Sequence, residues 1–174
     1  MVKRLSSLYC LRYICSYPIR KRVTEGLFYG ALLYCIPLFG GMDRSQLKEL
    51  QILQNKAARL VCRLPPRSNR SALLQKLGWL RLNQLIVFQS LITVFRIRQC
   101  KEPKYLATLM CNDTRNGRIM LGNSNLTLTS KSFCFRGPSL WNQLPRNVRS
   151  EEKLGIFKNM AKKWTLDNVP QFLE

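Results

Sequence analysis

A chain of 174 residues with an apolar fraction of 46% can bury the core of one ordinary domain or two small ones, which excludes a disordered basic tail. Lysine and arginine number 29 against 9 acids, a formal charge of +20, and histidine is absent. Cations at this density repel one another, so a polyanion is the natural partner, and the commonest general base and metal ligand is missing.

Residues 1–17 place Leu5, Leu8, Tyr9, Arg12 and Tyr13 at near-helical spacing, and Arg12 interrupts the apolar run a signal peptide would need. Pro18 marks a break or the first turn of a next helix. The triplet Arg20-Lys21-Arg22 leads into 17 uncharged residues, Gly26 to Met42. As a membrane anchor this run is short of the ~20 residues a bilayer needs and is diluted by glycine, tyrosine and proline. A helix buried among other helices is preferred, ending at Pro37 and Gly40-Gly41.

The sequence predicts the longest amphipathic helix over Asp43–Leu64. Asp43 is placed to cap it, with Gln46 reaching back. Leu47, Leu50, Leu53, Ala57, Leu60, Val61 and Leu64 make its apolar stripe, Lys56, Arg59 and Arg63 a cationic one, and Pro65-Pro66 stops it. The cationic stripe reads either as a solvated face or as a phosphate-contacting one. Together with the preceding helix it forms a helical hairpin.

After the basic link Arg67–Arg70, Ser71–Leu77 reads as a short helix stopped by Gly78. Arg81–Cys100 is apolar around most of its circumference, as the central helix of a bundle is. A short helix is predicted behind Pro103. Residues 111–136 change character: Asn112 to Gly117 read as a loop. Ile119 and Leu121, Leu126 and Leu128, and Phe133 and Phe135 alternate as strands do, predicting a minor β hairpin at about 118–136. A helical turn around Trp141 follows. Ser150 is the predicted cap of a last helix lined by Leu154, Phe157, Ala161 and Trp164.

The predicted fold is therefore mainly α: a bundle over residues 1–66 and a second helical part, with the small β element, over 67–174. Residues 1–70 hold 13 basic and 3 acidic residues and residues 71–174 hold 16 and 6, so neither part alone supplies the charge. The seven cysteines are irregularly spaced with no Cys-x-x-Cys pair, which argues against a disulfide framework and for a reducing compartment, nucleus or cytoplasm. No phosphate loop, zinc knuckle or nucleophile constellation can be assembled, so neither a cofactor nor a small-molecule substrate is expected. The basic residues remain. Arg20, Lys21, Arg22, Lys56, Arg59, Arg63, Arg67 and Arg70 are the candidates to hold a sugar–phosphate backbone without reading sequence. The tyrosines in Tyr9–Arg12–Tyr13–Tyr17–Arg20 stack on unpaired bases if exposed and are core if buried.

Four segments carry a resemblance. LQNKAARLV (residues 53–61), the preceding LFYGALLYCIPLFGG, LQKLGWLRLNQLIVFQSLITVFR (residues 74–96) and SFCFRGPSLWNQLPRNVRSEEKLGIFK (residues 132–158) together resemble, in the family's order, the thumb and post-thumb region of reverse transcriptases from LINE-type (non-LTR) retrotransposons, jockey-like and related. The resemblance implies a thumb that grips a primer–template duplex beside a polymerase palm. The palm's aromatic-x-Asp-Asp magnesium site has no counterpart here, so a non-catalytic piece is expected: a truncated element copy or a retained host gene. Its partners would be RNA or DNA backbone and the missing palm. The competing expectation is an inert or protein-docking helical fragment, and a further one is membrane attachment through residues 26–42.

Overall fold

A computed structural model describes residues 2–65, 68–111, 117–121 and 131–169. The protein is mainly α-helical, and no β-strand forms among the described residues. Its helices are α1 (Val2–Tyr9), α2 (Leu11–Ile14), α3 (Tyr17–Thr24), α4 (Gly30–Leu33), α5 (Arg44–Cys62), α6 (Arg70–Leu77), α7 (Leu82–Cys100), α8 (Lys104–Met110), α9 (Phe133–Gln143), α10 (Arg146–Arg149) and α11 (Leu154–Asn168). They fall into two compact units, residues 1–36 with 42–82 and residues 37–41 with 83–174; the expected division at 66/67 lies inside the first.

In the first unit, α5 is the element on which α1, α3 and α6 pack. Asp43 holds the extended backbone of an N-cap, and its carbonyl accepts from Leu47 N–H at 3.1 Å. The helix stops at Cys62, before the prolines, because Arg63 takes the left-handed conformation (φ 55°) and its N–H turns back toward the last carbonyls. Ala57, Ala58, Leu60 and Val61 are buried as the apolar stripe requires, while Leu64, beyond the helix end, is exposed.

Residues 26–42 do not form one continuous helix. A π-helical turn over Glu25–Tyr29 continues α3 into α4, Tyr34 goes extended, Cys35 has φ 55°, and Ile36–Gly41 is a 3-10 turn. Gly40 and Gly41 serve close approach as well as turning. A Cβ on Gly40 would collide with the Arg136 guanidinium, and one on Gly41 would lie 2.8 Å from the Lys131 carbonyl oxygen. The stretch Arg70–Cys100 is long and apolar enough to cross a bilayer by composition alone. Gly78, at φ 73°, divides it into α6 and α7.

Two polar positions of α5 bind the first unit together. Gln54 is fully buried, and its Nε2 donates to the Leu80 carbonyl at 2.8 Å and to the Tyr29 hydroxyl at 3.4 Å. Gln51 Oε1 accepts from Leu82 N–H at 2.9 Å, while its Nε2 donates to Gln54 and Asn55. Trp79 packs against Tyr29 with the rings tilted by 35° and their centroids 4.7 Å apart, and donates Nε1–H to Glu25 at 2.9 Å. Tyr29, Gln54 and Trp79 each come from a different one of the segments that carried the resemblance. Burial pushes the Tyr29 phenol well above the ordinary tyrosine range, with the Glu25 carboxylate adding to the shift and the Gln54 hydrogen bond opposing it.

The second unit is an apolar core around α7. Phe95 stacks on Phe157 at 4.3 Å, and Trp141 on Phe157 at 5.7 Å. Asn142 clamps the Ile119 backbone, accepting its N–H at 2.8 Å and donating to its carbonyl at 2.9 Å. The predicted β hairpin is corrected here. Phe133 and Phe135 belong to α9, whose N-cap Ser132 offers its carbonyl to the Phe135 and Arg136 N–H groups; Leu126 and Leu128 lie outside the described residues. The helix tolerates Pro138 because Gly137 lets it press on Val94, where a Cβ would come within 3.0 Å, and bury Leu140 and Trp141. The last helix also begins later than predicted. Ser150 closes α10, and Lys153 is the cap residue of α11. The Glu151 carboxylate accepts from the Glu152 and Lys153 N–H groups at 3.1 and 2.9 Å.

Candidate nucleic-acid interface

The eight predicted cations part into distinct chemical roles. Arg20 is corrected first: it is only 4% exposed. Its Nε and Nη2 donate to the Val61 carbonyl at 3.1 and 3.0 Å, and its Nη1 donates to the Cys15 carbonyl. Its guanidinium therefore neutralises the C-terminal end of α5, where carbonyls lack helical partners and the helix dipole is negative. It is not available to a phosphate.

Arg63 stands on the surface, but its guanidinium faces α2. Nε donates to the Arg12 carbonyl at 2.6 Å, and Nη2 donates to those of Tyr13 and Cys15 at 3.1 and 3.2 Å. It collects the orphan carbonyls at the end of α2 and fixes that helix against the end of α5. Arg63 is thus a positioning residue. Lys21 lies 3.9 Å from the Glu25 carboxylate, four residues on in the same helical run. Arg22 and Arg70 are exposed on α3 and α6. Arg67 lies outside the described residues.

Lys56 and Arg59 come together with a residue the predicted set lacked, Arg12. They line a pocket of about 150 Å³ with Tyr9, Leu60 and Leu64, and none of the lining residues is acidic. Tyr9 and Arg12 come from α1 and α2, and the rest from α5 and its exit, all within the first unit. The walls are apolar: a ring, two leucines and the alkyl stems of three long cations. Arg59 Nε is buried without a hydrogen-bond partner. A buried donor left unsatisfied costs about 1–3 kcal/mol, so the pocket favours a ligand that brings acceptor oxygens.

The aromatic question is also answered by position. Tyr9, Tyr13 and Tyr17 are all exposed, Tyr13 at 81%. The Arg12 guanidinium lies 5.9 Å from the centre of the Tyr13 ring. The sequence signal nearest to Arg12 is its interleaving with Tyr9, Tyr13 and Tyr17, which marks a basic aromatic stretch but does not join it to α5. Chemically the arrangement can hold an anion and offer ring faces beside it. Neither a family model, nor a curated protein, nor a solved structure matches this chain.

Proposed function

We propose that this protein binds nucleic acid, RNA or DNA, through the sugar–phosphate backbone and without reading sequence, and that it is a holding module and not an enzyme. The observation that carries the reading is the convergence of Arg12, Lys56 and Arg59 on one acid-free pocket of the first unit. Arg22 and Arg70 add exposed charge on the same unit. The resemblance to the thumb region of LINE-type reverse transcriptases agrees with such a grip and adds a polymerase palm as a candidate partner.

The test is fluorescence anisotropy of the full chain with a random-sequence oligonucleotide over a salt series. A log–log fall in affinity with salt is expected, because each neutralised phosphate releases counterions. The double charge reversal Lys56→Glu with Arg59→Glu is expected to weaken binding at least ten-fold at low salt and to flatten the slope. Salt-insensitive binding, or affinity unchanged by the reversal, overturns the proposal. The latter result favours the protein-docking reading, to which the exposed Ile14 and Tyr34 would then belong.

A further inference from the structure

We propose that the Tyr9–Arg12–Lys56–Arg59 pocket is a subsite for an unpaired nucleotide, so that the protein prefers single strands, or the single-stranded end of a duplex, to paired helix. The inference rests on the backbone-binding reading and adds strandedness to it. Three observations carry it.

The first is the mixed lining. Cations suffice for a duplex, whose outer surface is phosphate. Tyr9, Leu60 and Leu64 gain nothing from a duplex, because its base faces are stacked away. An unpaired base has a free face for the tyrosine ring and, across its sugar, a phosphate for the guanidinium groups. The second is size. A void of about 150 Å³ is of the order that admits one benzene-sized ring, so it takes a single base ring or one phosphate, with the remainder of the nucleotide on its rim. Tyr13, outside the lining but exposed with its ring 5.9 Å from the Arg12 guanidinium, offers a further ring face. The third is the contrast among arginines. The Arg20 and Arg63 side chains are spent on backbone carbonyls, whereas the Arg59 Nε, in the pocket wall, has no hydrogen-bond partner of its own.

The experiment compares oligo(dT) with a blunt hairpin duplex of equal phosphate number, using the full chain at one salt concentration. The expected result is at least ten-fold tighter binding of the single strand. Tyr9→Leu is expected to cut single-strand affinity at least five-fold more than duplex affinity, and Tyr9→Phe, which keeps the ring, to restore the preference. Circular dichroism melting of each variant confirms that the fold is retained, and Arg12→Gln serves as a second variant if Tyr9→Leu does not fold; it should narrow the single-strand preference by lowering strand affinity more than duplex affinity. Equal affinity for strand and duplex, with both lowered by Lys56→Glu, overturns the subsite and leaves the backbone reading standing. Failure of the wild-type chain to bind either one overturns the backbone reading itself. Binding confined to phosphatidylserine vesicles, with no oligonucleotide competing, overturns both.

Discussion

The longest helix of the first unit buries amides, and its end receives a guanidinium; the longest helix of the second buries rings and branched chains. In the first, Gln54, Asn55 and Arg20 are inside, Gln54 and Arg20 bonded to backbone carbonyls and Asn55 to the half-buried Gln51. In the second, α7 presents Leu91, Val94, Phe95 and Ile97 to Trp141, Phe157 and their neighbours. Apolar contact is tolerant of small shifts, whereas hydrogen bonds specify a register. In the unit with the candidate interface, buried amides and guanidinium groups add directional bonds between helices, and the pocket depends on that pinning. Arg12 reaches it because its own carbonyl is held by Arg63.

The largest expected effect breaks the apolar side of this contrast. Phe157 is fully buried and stacks on both Phe95 and Trp141. Phe157→Ala should destabilise the second unit by about 3–5 kcal/mol through lost burial and a cavity. Urea unfolding read from Trp141 and Trp164 fluorescence should show it. The Trp79 signal, which belongs to the first unit, should move less. Coincident shifts of both signals would mean that the two units unfold as one cooperative body.

The next effect addresses the polar side. Arg20→Met keeps the apolar stem and removes the guanidinium, leaving the Val61 carbonyl without its side-chain donor and the Cys15 carbonyl with Arg63 alone. The first unit should lose about 2–3 kcal/mol, the scale for removing a charged partner from a buried hydrogen bond. The same variant separates structural charge from binding charge. Below its unfolding range it should keep the wild-type salt slope for nucleic acid, because Arg20 touches no ligand. A reduced slope would put Arg20 back among the phosphate contacts.

Much of this was legible beforehand, and the failures are instructive. The course of α5 follows from apolar residues at helical intervals after Asp43, and its polar interior is hidden because Gln51, Gln54 and Asn55 look like solvent-facing residues until Leu80 and Leu82 supply partners to Gln54 and Gln51, and Gln51 to Asn55. The Arg20-Lys21-Arg22 triplet looked like one patch. Consecutive residues on a helix point about 100° apart, so one of the three turned inward, one met Glu25 and one faced out. The Phe133 and Phe135 alternation was ambiguous over so short a span, and Pro138 argued against helix; packing of Gly137 on Val94 decided the matter from outside the segment. Arg12 was missed because the site joins two helices far apart in sequence, and only folding brings α2 to α5.

The smallest effect sharpens the comparison through pH. The Tyr29 phenol lies between Trp79 and Gln54, and desolvation raises its pKa above that of an unfolded tyrosine, which ionises at about 10. A raised folded-state pKa means that the folded chain keeps a proton the unfolded chain releases. The resulting stability is full below pH 10 and is lost as pH rises beyond it, by up to about 1.4 kcal/mol per pH unit. Tyr29→Phe gives up a long hydrogen bond, so it should be within about 1 kcal/mol of wild type at pH 8. From pH 10 upward its unfolding midpoint should fall less steeply than the wild type's. Parallel pH profiles would mean that the phenol ionises within the folded protein as readily as in water, and that the polar seam joining Glu25, Tyr29, Gln54 and Trp79 is wet where the apolar core of the second unit is dry.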